Sequence, residues 1–130
     1  MTSDEGTLLD DAAAGQFVDA CRATVGDQLR SVTYFTNDGY DQLYLRSDLE
    51  RDADLAGFAD YETLGFGAHD AYRDTELGEY HYTIRIFENG FLVRVTTAEE
   101  GVFLTTDGLT LQDFEEVATA VAELLADRDE

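Results

Sequence analysis

Residues 85–95, RIFENGFLVRV, place Asn89-Gly90 between two runs of alternating apolar side chains. Asn-Gly is the favoured pair for a two-residue type I′ turn, because both central residues need positive φ. A turn there sets Glu88 opposite Phe91, Phe87 opposite Leu92, Ile86 opposite Val93 and Arg85 opposite Arg94. Side chains alternate across a strand. One sheet face then carries Tyr80, Tyr82, Ile84, Ile86, Val93 and Val95, and the other His81, Arg85, Phe87, Leu92 and Arg94. The first face is the more apolar, so helices are expected to cover it.

On the C-terminal side, AEEG (98–101) allows a second hairpin into VFLTT (102–106), bringing Leu104 near Val95 and Phe103 near Thr96. On the N-terminal side, RSVTYFT (30–36) and QLYLR (42–46) alternate as two more strands around the turn-prone NDGYD (37–41). A first helix is expected from about Asp10 to Asp27, with Phe17, Cys21, Val25 and Leu29 forming one apolar stripe. Ser47 and Glu50 have capping-box spacing, which predicts a second helix from Asp48. An irregular crossover with Gly65, Gly67 and Gly78 follows, and Tyr61, Phe66 and Tyr72 in it are the expected wall of any small-molecule pocket. Thr110 and Asp113 open a last helix whose apolar face is Leu111, Phe114, Val117, Ala118, Val121, Leu124 and Leu125.

The order is α-β-β-α-β-β-β-α. Short hairpins require antiparallel neighbours. The expected fold is α+β, a five-stranded antiparallel sheet with packed helices. Residues 1–130 form one domain, with frayed tails at about 1–7 and 127–130. This succession resembles the roadblock/LC7 fold of the profilin-like group. That resemblance implies dimerisation and an adaptor or regulator role. The stretches 30–49 (RSVTYFTNDGYDQLYLRSDL), 79–95 and 101–116 (GVFLTTDGLTLQDFEE) also resemble a small family of uncharacterised haloarchaeal proteins, which carries over no catalytic residues.

Charge supports the same setting. The chain has 29 acidic side chains against eight arginines, no lysine and a net charge of -21. Such repulsion opposes compaction at low ionic strength, and concentrated salt screens it. A halophilic cytoplasm with hydrated K+ counterions is expected. Without a basic cluster, neither nucleic acid nor an anionic membrane surface is an expected partner. Cys21 is the single cysteine and reads as a core residue.

His69 and His81 start no metal-ligand spacing, and no nucleophile arrangement or cofactor fingerprint occurs. The residues therefore favour a non-enzymatic interaction or regulatory module, with a homodimer and a further protein partner as expected associations. If the Arg85 face is open, Phe87, Leu92 and Phe103 form an apolar patch rimmed by Arg85, Arg94 and His81. The competing expectation is helices on both faces, with Phe87 and Leu92 in a second core layer and Glu88, Glu79 or a helix carboxylate neutralising the arginines, or concentrated salt screening them. The alternative function is a sensor or enzyme for a small anionic ligand, held by Arg85 and Arg94 with help from Arg46.

Overall fold

The computed structural model describes residues 9–49, 62, 66, 71 and 74–128. Asp10 caps the first helix, α1 (Asp11–Val25); its carboxylate accepts from the Ala13 N–H at 2.8 Å. That meets one of the donors a helix start leaves bare. Gly26, at φ 64°, ends α1, and a 3-10 turn (Gly26–Gln28) leads into β1 (Leu29–Thr36). Phe17, Cys21 and Val25 are the buried line of α1. Leu29 completes that stripe from the strand.

β2 (Gly39–Leu45) returns antiparallel through Asn37-Asp38, with Thr36 opposite Gly39. β3 (Thr83–Phe87), β4 (Gly90–Thr96) and β5 (Glu100–Thr106) form a meander. The last helix, α2 (Leu111–Arg128), opens on a reciprocal box. There Thr110 Oγ1 accepts from the Asp113 N–H at 3.2 Å, and the Asp113 carboxylate accepts from the Thr110 N–H at 3.4 Å. The five strands lie in the order β2-β1-β5-β4-β3, every neighbour antiparallel. β1 and β5 are adjacent although far apart in sequence, which places β2 and β3 at opposite edges.

Both faces of the sheet bury side chains. Val32, Tyr34, Val93, Val95, Val102 and Leu104 join Phe17, Cys21, Phe114, Val117, Val121 and Leu125 in the main core. This is the face expected to take the helices. On the opposite face Phe35, Phe66, Leu92 and Phe103 form a second cluster. Phe35 stacks on Phe66 at 5.3 Å between ring centroids and tilts against Phe103 at 5.6 Å. Gly101 makes room for this, because a Cβ there would stand 2.7 Å from the Phe35 ring.

The hairpin registers differ from expectation by two residues. Phe87 lies opposite Gly90, Ile86 opposite Phe91, Arg85 opposite Leu92 and Thr83 opposite Arg94. Likewise Val95 faces Val102 and Arg94 faces Phe103 across β4 and β5. The turn is Glu88-Asn89, and Gly90 begins β4. Neither turn residue has positive φ, so the type I′ geometry is not used. Gly90 serves close approach, since a Cβ there would collide with the Thr106 carbonyl of β5. A slip of two residues keeps parity, so each side chain stays on its expected face.

The predicted helix start at Asp48 is corrected to a turn over Ser47-Asp48, closed by the Leu49 N–H donating to the Arg46 carbonyl at 3.0 Å. The Asp48 carboxylate binds Arg46 instead of a helix N-terminus. The rest of that expected helix lies outside the described residues.

Two outcomes follow from the packing. Gly90→Ala should destabilise by ~1–3 kcal/mol in urea unfolding; a neutral result would contradict the close approach. Burial pushes the Cys21 thiol up from 9.0 to about 12. A proton held more tightly in the folded state gives stability that is full below pH 9 and lost as pH rises through the folded value. Cys21→Ala should therefore flatten the alkaline loss of stability measured between pH 9 and 12.

Candidate functional site

The second sheet face is polar where β3 meets β4. Arg94 is 6% exposed and stands opposite Thr83, two pairs along from Arg85 and Leu92 and so next to them on this face. Two guanidiniums so placed repel each other in a low-dielectric layer. Glu62, 2% exposed, lies between them. Its Oε2 accepts from Arg85 Nε at 2.7 Å, and its Oε1 accepts from Arg94 Nη1 at 2.8 Å and Arg85 Nη2 at 3.2 Å. Arg94 Nη2 also donates to Thr83 Oγ1 at 2.9 Å and the Tyr80 hydroxyl at 3.2 Å. Charge-assisted bonds of this kind exceed neutral ones in strength. Thr33 Oγ1 and Arg94 Nε are buried on this face without a hydrogen-bond partner among the described residues.

The face is therefore closed by Glu62 and Phe66, as the closed-face alternative anticipated for Leu92 and a helix carboxylate; its placement of Phe87 in the second layer is corrected, since that edge-strand ring is 49% exposed. Three of the expected interface residues are inside the protein: Leu92 at 1%, Phe103 at 0% and Arg94 at 6% exposure. They are corrected from surface contacts to core and buried ion-pair residues. Arg85 is half-buried, with its side chain 34% exposed. Phe87 remains at the surface, and His81 is exposed, its Nε2 4.0 Å from a Glu79 carboxylate oxygen.

Arg46 does not join the other two arginines. It follows β2, at the sheet edge opposite β3. Its Nε donates to Asp48 Oδ1 at 2.6 Å and its Nη1 to Asp107 Oδ2 at 2.8 Å and the Asp27 carbonyl at 2.9 Å. Arg30 approaches the same Asp107 at 3.5 Å. The Arg46 guanidinium holds the Asp107 carboxyl below the usual carboxylate range, chiefly through its hydrogen bond. A three-arginine anion site is thus not assembled. The residues clamp the ends of β1, β2 and β5 together.

Sequence reasoning missed two features. Glu62 lies 23 and 32 residues from its partners, in a segment without clear periodicity. Ile86 was assigned to the helix-covered face, yet it is 77% exposed, with Phe87 at 49%. The reason is position: β3 is an edge strand, and its partner Phe91 takes the edge-on contact with Phe114 of α2.

The fold is roadblock/LC7-like: an antiparallel five-stranded sheet with α1 and α2 packed on one face. Solved structures agree. A structure described as MglB with tetrameric arrangement superposes with a TM-score of 0.61 at 16% identity, covering 92% of this chain and 94% of the other. The gliding protein MglB from Thermus thermophilus superposes at 0.56 and 14% identity, covering 92% and 95%. The chain belongs to the family described as a domain of unknown function, DUF7522, which residues 15–126 match. Comparison with curated proteins gave no match.

The ion pairs make separable predictions. Glu62→Gln leaves two guanidiniums, that of Arg94 deeply buried, without their anion and should destabilise by about 3–5 kcal/mol. Arg85→Ala, whose guanidinium reaches solvent, should cost well under half as much in the same unfolding series. Equal costs would contradict the central position of Glu62. A depressed Asp107 contributes stability that is present above the ordinary carboxylate pKa and lost as pH falls through its lower folded value. Arg46→Ala should flatten that acid limb.

Proposed function

We propose that this chain is a non-enzymatic protein-interaction or regulatory module of a halophilic, haloarchaeal cytoplasm, self-associating as a homodimer through the β3 edge. The supporting observation is the pair Ile86 and Phe87, both exposed on an edge strand and pointing to opposite faces. An edge offers backbone donors and acceptors to a second strand. Apolar side chains on both sides of it supply the burial such a contact needs. Phe87 thus stays an interface residue from the sequence reading, with Arg85 and His81 nearby on the same edge segment.

MglB shares the fold and is described in a tetrameric arrangement, which favours association over chemistry here. The Arg85/Arg94 pair is engaged by Glu62, and that argues against the anionic-ligand reading. Two copies at net charge -21 each repel. Concentrated potassium chloride cuts the Debye length to ~3 Å or less and removes most of that repulsion.

The test is molar mass by light scattering in about 3 M potassium chloride. The wild type should run at twice the 14.4 kDa chain mass. Ile86→Lys and Phe87→Asp should each run as monomers with unchanged helical content. A monomeric wild type, or variants that stay dimeric, would contradict the edge contact. The folded fraction should rise with added potassium chloride; a fall would overturn the halophilic part.

A further inference from the structure

β3 pairs with β4 only as far as Thr83 opposite Arg94. β4 continues through Val95 and Thr96, while residues 79–82 run on outside the ladder. Where the two diverge, a cavity of about 690 Å³ opens between them and α2. It falls in the volume range of small-molecule sites. α2 keeps it open because four of the residues it turns this way are short, Ala118, Thr119, Ala122 and Ala126. Tyr80, Tyr82 and Val95 line the strand side, and Phe66 reaches it from the crossover. This is the aromatic wall expected of Phe66; Tyr61 and Tyr72 lie outside the described residues.

The carboxylates outnumber the single basic side chain on the rim, His81. Glu79, Glu115 and Glu123 line the cavity, and among the described residues no arginine does. The described arginines with placed side chains are engaged elsewhere. Arg85 and Arg94 hold Glu62, Arg46 and Arg30 hold Asp107, and Arg22 lies over the Tyr44 ring at 5.3 Å. Burial pushes the Tyr82 hydroxyl up, and the nearby Glu115 charge adds to it. A negative rim over an apolar wall, with tyrosine rings on one side, matches an amphipathic cation. The apolar part is driven in by burial, and the positive group meets carboxylates and ring faces. An anionic amphiphile of the same shape meets three carboxylates against one imidazole.

We propose that this cavity between α2 and the β3–β4 divergence binds a small amphipathic cation, an apolar body carrying an ammonium group. Glu115 and Glu123 hold the charge from α2, Glu79 from the strand side, and Tyr80, Tyr82, Val95 and Ala118 hold the apolar body. Neither Ile86 nor Phe87 lines the cavity, and His81 is the one residue shared with the edge segment, so ligand binding and self-association can be measured separately with the variants named.

The experiment is titration of the full chain in potassium chloride with octylammonium and, in parallel, octanoate, followed by backbone amide NMR shifts. Octylammonium should give saturable shifts centred on Tyr82, Val95, Ala118 and Ala122, and octanoate none. Ala122→Trp, which fills the cavity from an exposed helix position, should abolish the shifts. Glu115→Gln, which leaves the packing unchanged, should weaken binding about fivefold. Equal binding of octanoate, an absence of saturable shifts at these residues, or undiminished affinity in both variants would overturn the proposal.

Discussion

A single buried carboxylate allows this sheet to bury its second face. Arg85 and Arg94 lie on one side of the β3–β4 hairpin, and without an anion between them that side must face water. Glu62 bonds both guanidiniums from within the layer, and Phe66 packs on Phe35 nearby. Desolvating three charges is costly, and only close geometry with further bonds to Thr83 and Tyr80 offsets it. The consequence is topological: with both faces covered, the strand edges become the places where backbone can meet another chain.

The two edges differ in how they are managed. β2 ends in the Arg46, Asp48, Asp107 and Arg30 cluster, which ties it to β1 and β5. β3 ends in Ile86, which is mostly in water, and Phe87, which is about half so. Charge is a common guard against unwanted edge pairing, and an apolar edge invites it. In a chain of net charge -21, long-range repulsion opposes contact between copies until salt screens it.

Much of this was legible in the sequence. The period-two alternation assigned the paired residues of β3 and β4 their correct faces, and the Phe17–Cys21–Val25 spacing placed α1 on the core; Tyr80, outside the ladder, was misassigned, since its hydroxyl meets Arg94 and Thr83 on the other face. The register was not legible, because Asn89-Gly90 has two physical uses. Gly90 is required for approach to the Thr106 carbonyl, a long-range fact that overrides the local turn preference. Glu62 could be anticipated only as a need for some carboxylate, since its partners are distant in sequence. The separation of Arg46 from Arg85 followed from the β1–β5 pairing, which local patterns do not encode. The exposure of Ile86 likewise depended on knowing which strand forms the edge.

The most direct measurement is a double-mutant cycle between Glu62 and Arg94, with Glu62→Gln, Arg94→Met and the pair unfolded by urea in potassium chloride. Contact through a buried bond at 2.8 Å predicts a coupling of about 2 kcal/mol or more, with the double variant more stable than the sum of the single losses implies. A coupling below about 0.5 kcal/mol would mean that Glu62 does not close this face, and the apolar patch of Leu92 and Phe103 would again be the surface to explain.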